Sequence, residues 1–316
     1  MFFCFLYTKD HDWYNHQAMT RSGIVAISGQ PNVGKSTILN GLLKEKVAIV
    51  SRRPETTRDN IRGIYTEGDY QIVFIDTPGI HKPHDLLGKI MLTRAQSTMM
   101  ESELIVFVTE KKCALNSEDD RIIDRLPDPS EGKKVILVIN KTDRIRNKAM
   151  LLPLMKKAAE KYPFAEIVPM SALKEKHLDG LIKVIKKHIP EGPFLYEEDE
   201  LTDKTYEFQI EEIIREKILK TTYQELPHAV AVSVDQVQRN EDTDKKEIFA
   251  TIYIERASQK SIIIGSGGEM IKKVRQLAQK EIGDLVEEPV HLELWVKVQE
   301  KWKKDPNALR DLGYSD

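Results

Sequence analysis

In the stretch Gly29-Gln30-Pro31-Asn32-Val33-Gly34-Lys35-Ser36, two glycines, a lysine and a hydroxyl stand at the spacing of a phosphate-cradling loop. Gly29 and Gly34 let the backbone curl, so that successive N–H groups form a nest for anionic oxygens. The helix expected after the loop adds the positive end of its dipole. Lys35 should then reach the outer phosphates and the Ser36 hydroxyl should ligate Mg²⁺, with Asn32, Val33 and Thr37 in the same contact set. The context supports this over a chance glycine turn, because the apolar run 24–27 precedes the loop and 37–43 follow at helical spacing.

Four further segments add chemistry in order along the chain. Residues 51–59 are polar, carry Thr56 and Thr57, and read as a loop that orders when a threonine hydroxyl meets Mg²⁺ and a terminal phosphate. Thr57 is the preferred ligand and Thr56 the alternative. The apolar run 71–75 ends in Asp76-Thr77-Pro78-Gly79, which puts a carboxylate where a Mg²⁺-linked Asp belongs and a backbone N–H of Gly79 near the γ-phosphate. Asn140-Lys141-Thr142-Asp143 closes another apolar run. There Asp143 can accept from both N1–H and the 2-amino group of guanine, a donor pair that adenine lacks. Asn140 can serve the N7 side and the Lys141 stem the ring face. Ser171-Ala172-Leu173 then reads as a base-edge loop offering backbone N–H groups.

These groups need a sheet to hold them. The continuous apolar runs 104–108 and 135–139 are expected of parallel strands covered on both faces. With 316 residues, 41% hydrophobic and 31% charged, the chain has room for two globular domains. No apolar run approaches the ~18–20 residues of a membrane span. Cys4 and Cys113 are its only cysteines, which excludes a disulfide framework or a zinc cluster and fits a reducing compartment. A net charge of −2 confines any nucleic-acid binding to a local patch. Residues 1–22 are expected to be a disordered or artefactual leader, with Met19 as the true start.

GQPNVGKS, ETTRD, DTPG, NKTD and SAL together resemble the five G motifs of translation-factor-related GTPases, and look most like those of the Era family. The resemblance covers about residues 23–313. It implies an α/β P-loop GTPase domain (a mostly parallel sheet flanked by helices) over 23–190, a linker over 191–203, a smaller α+β KH-type (type II) domain over 204–300 and a tail over 301–316. It implies GTP/GDP and Mg²⁺ as ligands, with Ser36, Thr57 and Asp76 on the metal and Lys35, Thr57 and Gly79 carrying catalysis. The implied partners are the 3′ end of small-subunit (16S) rRNA and the small ribosomal subunit in assembly. The implied protein is a cytoplasmic monomer, with peripheral association at the cytoplasmic face of the membrane open to it. Where many small GTPases carry a water-orienting Gln, this chain has Ile80, so slow intrinsic turnover is expected. Asn32 is similar to an Asn that helps related GTPases hold K⁺. His81, beside Lys82-Pro83, is expected to be solvated.

In the second half, Ile210, Ile213, Ile214 and Ile218 fall at helical spacing. Val230, Val232 and Val234 alternate, as do Ile248, Ala250, Ile252 and Ile254, around a turn at Asn240-Glu241-Asp242. Residues 290–298 form the clearest strand. Ile264-Gly265-Ser266-Gly267-Gly268, followed by Lys272, Lys273 and Arg275, is the Gly-x-x-Gly joint with which KH modules clamp a single-stranded backbone. Residues 256–280 hold six Lys and Arg against one Glu. The joint departs from the usual pattern in having no basic residue between its outer glycines. Trp302 is expected either to stack on a base or to sit at a solvated helix end. Two rivals remain: a GTPase whose second domain binds protein or a membrane surface, and an ATP-using P-loop enzyme, against which Asp143 argues.

Overall fold

The structure is a computed structural model describing residues 19–51, 53–110, 115–222, 230–241 and 244–314. Residues 1–18 of the expected leader, and Cys4, Arg52, Cys113 and Asp242, lie outside these residues; the last part of that expected leader is not disordered, because Arg21 and Ser22 pair with Tyr70 and Gln71 in the first strand. The chain opens with β1 (Arg21–Gly29), α1 (Lys35–Leu43), β2 (Ile61–Glu67), β3 (Tyr70–Asp76), α2 (Leu86–Glu101) and β4 (Leu104–Glu110). It continues with α3 (Ser117–Ile123), β5 (Lys134–Asn140), α4 (Leu151–Lys161), β6 (Glu166–Pro169) and α5 (Glu175–Lys186). The six strands form one sheet in the order β2-β3-β1-β4-β5-β6, parallel except for β2 against β3.

Burial on both faces explains the near-continuous apolar composition of these strands. Val25, Ile27 and Val106 face α1 and α5 through Leu39, Leu181 and Ile185. Ala26, Ile105 and Phe107 face the other way, onto Ala95, Met99, Ile122 and Ala158. The phosphate loop, the DTPG turn and NKTD therefore all leave the sheet at the C-terminal ends of parallel strands, the edge where such sheets bind ligands.

Residues 191–203 do not hang free. They run beside β2 and β3: Gly192 N–H donates to Thr20 O, the Leu195 and Tyr196 N–H groups donate to Gln71 Oε1, and Ile64 N–H donates to Leu201 O. The second layer follows as α6 (Tyr206–Thr221), β7 (Ala231–Arg239), β8 (Lys246–Ile254), α7 (Ala257–Ile264), α8 (Glu269–Val286), β9 (Val290–Val298) and α9 (Pro306–Asp311). Thr205 caps α6, its hydroxyl accepting from Phe208 N–H. The hairpin β7–β8 is antiparallel with a bulge between Val234 and Gln236, and β9 adds parallel to β8. The three helices α6, α7 and α8 cover one face through Ile214, Ile218, Ile263, Val274 and Ile282.

The tail departs from expectation. Trp302 is fully buried, packed with Leu87 and Met91 of α2, Ala231 of β7, and Ala308 and Leu309 of α9. It is neither a solvated helix end nor a platform for a base. The residues after β9 turn back and seat this ring between the two sheets' domains.

Candidate nucleotide and RNA sites

At the end of β1 the loop wraps a buried lysine. Lys35 Nζ donates to the carbonyls of Gly29 (3.2 Å) and Gln30 (3.0 Å). Burial lowers its pKa to about 8, against the opposing pull of Asp76. Asp76 is pushed up by the same desolvation, with Lys35, Ser36 and Thr57 pulling it down. Gly34 has φ +103, and a Cβ there would lie 2.4 Å from Asn140 Nδ2, so no other residue fits the loop.

Ser36, Thr57 and Asp76 converge. Ser36 Oγ donates to Asp76 Oδ2 (2.6 Å), Thr57 Oγ1 donates to the same oxygen (3.2 Å), and the two hydroxyls are 3.0 Å apart. Asp76 Oδ1 is buried without a hydrogen-bond partner. Three converging hard oxygens beside an orphaned carboxylate oxygen suit Mg²⁺. Thr56 instead turns away, with its hydroxyl on Ser51 Oγ and the Arg53 carbonyl. The DTPG turn approaches closely: a Cβ on Gly79 would lie 2.8 Å from Pro31. Ile80 is buried in the core, and its N–H donates to Gly29 O. His81 is not solvated. One ring nitrogen bonds the Gly79 carbonyl (2.9 Å), the other lies 3.4 Å from Glu55, and its pKa is raised chiefly by Glu55.

A cavity of about 1140 Å³ runs from this cluster to the base end. Asn32, Gly34, Lys35, Ser36, Thr37, Thr57, Gly79, Asn140, Lys141, Asp143, Ser171, Ala172 and Leu173 line it, whereas Gly29, Val33 and Asp76 lie beneath its wall. Asn140 ties three segments together, donating to Val33 O and accepting from the N–H groups of Lys141 and Ala172. Ser171 Oγ donates to Asp143 Oδ1 (2.6 Å), fixing the carboxylate and lowering its pKa. The Lys141 ammonium bonds Asn32 O and lies 2.7 Å from Glu110.

Sequence reasoning missed a second layer. Buried Asp119 accepts from Gln30 Nε2 (2.7 Å), Thr109 Oγ1 and Leu115 N–H, so α3 braces the phosphate loop from behind. It also missed the contacts that residues 46–58 make with α6, α8 and β7. Lys46 pairs with Glu216 and Glu281, Val50 N–H donates to Glu216, and Arg53 donates to Thr222 O. The only local signal was composition: Arg215, Glu216 and Lys217 are charged residues inside an isoleucine-rich helix, and all three are buried.

The glycine joint between α7 and α8 lies apart from the cavity. Gly265, Gly267 and Gly268 take φ of +73, +57 and +81. A Cβ on Gly265 would meet Met270 Cβ at 2.7 Å, whereas nothing lies within 4 Å of one on Gly267 or Gly268, leaving that backbone open to a ligand. Ser266, Lys272 and Lys273 are exposed. Ile264 and Arg275 are half-buried, with Arg275 3.4 Å from Glu293.

This fold and these motifs define a P-loop GTPase carrying an α+β RNA-binding module. Residues 24–141 match the family model described as 50S ribosome-binding GTPase, and residues 225–303 match the KH domain model. A variant of Aquifex aeolicus Era solved with GDP·AlF4⁻ is 38% identical, covers 94% of this chain and 100% of its own, and superposes with a TM-score of 0.90. An Era solved with MgGDPNP and nucleotides 1506–1542 of 16S ribosomal RNA has the same identity and coverage, with a TM-score of 0.91. The chain belongs to the Era family of GTPases.

Proposed function

We propose that this chain binds GTP with Mg²⁺, hydrolyses it slowly, and uses nucleotide state to govern capture of the single-stranded 3′ end of small-subunit (16S) rRNA during small-subunit assembly. The similarity to the Era solved with MgGDPNP and 16S nucleotides carries this reading. The geometry of the site supports a division of labour. Lys35 and the loop N–H groups would take the phosphates, Asp143 and Ser171 the base, and Ser36, Thr57 and Asp76 would hold Mg²⁺. When bound, that ion neutralises charge along the phosphate chain. Water attacks the γ-phosphorus, the bond to the β–γ bridging oxygen breaks, and GDP and phosphate leave. Lys35 and the Gly79 N–H are placed to stabilise the charge on the transferring group. Ile80 faces the core, so no side chain at that position orients the water and the unassisted rate is low.

The similarity of Asn32 to the Asn that helps related GTPases hold K⁺ supports K⁺ as the cation that stands in for an arginine finger. Single-turnover rates should be higher in KCl than in NaCl, and equal rates remove that part of the proposal. The RNA part is tested with a short RNA copied from the small-subunit 3′ end against a scrambled one. Each is titrated with the chain loaded with a non-hydrolysable GTP analogue or with GDP. Tighter, sequence-dependent binding in the GTP-like state is expected. Equal binding of both RNAs in both states would leave the second domain for a protein or membrane partner.

A further inference from the structure

Thr57 is gripped on both sides by the RNA-binding half of the chain. Before it, the carbonyl of Thr56 accepts from Arg215 Nη2, and Arg215 is buried on α6 and oriented by a fork onto Glu212 (Nε–Oε1 2.7 Å, Nη2–Oε2 2.6 Å). After it, buried Arg58 donates from Nη1 to the Val230 carbonyl (2.6 Å) at the head of β7, with its guanidinium 5.7 Å from the centre of the Trp302 ring. A hydrogen bond to the carbonyl of the peptide joining residues 56 and 57 sets the torsions that aim the Thr57 side chain. That side chain lies 3.0 Å from Ser36 Oγ and 3.2 Å from Asp76 Oδ2.

We propose that Arg215 is a positioning residue for GTP hydrolysis: through the Thr56 carbonyl, the RNA-binding domain holds Thr57 in the nucleotide site. The donor is cationic and excluded from water, so the bond is of the strong, charge-assisted kind. A polar loop such as 51–59 has little packing of its own to fix that peptide. The proposal deepens the nucleotide-gated reading and rests on it. It supplies the link by which docking of α6 and assembly of the γ-phosphate site become one event.

The test uses the full-length chain with Arg215→Ala and, separately, Arg215→Lys, each assayed well below its unfolding midpoint. Arg215→Ala should lower the single-turnover rate for GTP about ten-fold or more. GDP lacks the phosphate that Thr57 faces, so its affinity should stay within about two-fold. In the analogue-bound state, amide hydrogens of residues 55–59 should exchange faster than in the unchanged chain. Arg215→Lys keeps one donor and should fall between. Unchanged turnover and exchange in folded Arg215→Ala, or a loss of GDP affinity matching the loss of rate, overturns the proposal. If Arg215→Ala does not fold, Glu212→Gln loosens the fork without emptying the site and is read by the same measures. Nucleotide-independent RNA binding by the unchanged chain, with the rate still dependent on Arg215, would sink the gating reading and spare this one. Nucleotide-dependent RNA binding with a rate indifferent to Arg215 would do the reverse.

Discussion

Replacing Trp302 with alanine separates packing from recognition at the C-terminal end. The ring is fully buried, touches α2, β7 and α9, and is stacked on Tyr314 with centroids 5.9 Å apart. Truncating a buried Trp costs ~3–5 kcal/mol, and losing the Arg58 guanidinium above the ring adds ~1 kcal/mol. At about 2–4 °C per kcal/mol in a chain of this size, the unfolding midpoint should fall by roughly 8–24 °C. Trp302→Phe should recover a substantial part of that loss. The assay is thermal unfolding of the nucleotide-free chain, followed by RNA titration at a temperature where both forms are folded. Intrinsic fluorescence adds a second channel, because Trp295 is half exposed and Trp302 is not. RNA should leave the emission of Trp302 unquenched. An unchanged midpoint together with lost RNA affinity would refute the packing argument and restore the ring as a base platform.

Asp143→Asn should weaken GTP binding about 100-fold or more, because a donor replaces an acceptor opposite guanine N1–H and N2; competition with labelled GDP reads this directly. Gly267→Asp adds an anion where a Cβ meets nothing within 4 Å, at a φ of +57 that Asp takes at a cost of ~1 kcal/mol, so unfolding should come only slightly earlier and GTP turnover should be unchanged while RNA affinity falls about ten-fold or more. Glu211 supplies a pH test, its carboxyl pushed up to about 7 by desolvation despite accepting from Val234 N–H. A folded-state pKa raised above the unfolded value means that the native state holds the extra proton. The contribution to stability is therefore full below about pH 4.5 and lost as pH rises through 7. Between pH 5 and 8, the unchanged chain should lose ~1–3 kcal/mol relative to Glu211→Gln in denaturant unfolding, and parallel curves would refute the assignment.

Much of this was legible in the sequence because the nucleotide motifs are local. Each of GQPNVGKS, DTPG and NKTD joins a strand to the next segment of chain, so spacing alone carries both the chemistry and the element that presents it. The alternation of 290–298 and the isoleucine stripe of α6 were equally plain. The misses are contacts across distance. Nothing near Gln30 announces Asp119, 89 residues on. Arg58 and Arg215 are buried only because two domains close over them, and Trp302 reads as a tail residue until α2 and α9 meet it. His81 was misplaced for the same reason: its partner Glu55 lies in another loop. Strand β2 lacks the continuous apolar run of its neighbours, with Arg62, Gly63, Thr66 and Glu67 among its seven residues, and only its antiparallel partner β3 gives its pattern meaning.

The parallel pairing of β9 with β8 fixes an order of events during synthesis. All six strands of the first sheet end by Pro169, so that domain can close while the second is still being made. The second cannot. Its sheet gains its third strand only when Val290–Val298 arrives, after α7 and α8 have crossed over, and Trp302 follows later still. A nascent chain can therefore hold nucleotide well before it can hold RNA, and a chain cut short before β9 lacks the sheet on which the glycine joint is mounted. The unit that clamps RNA matures last.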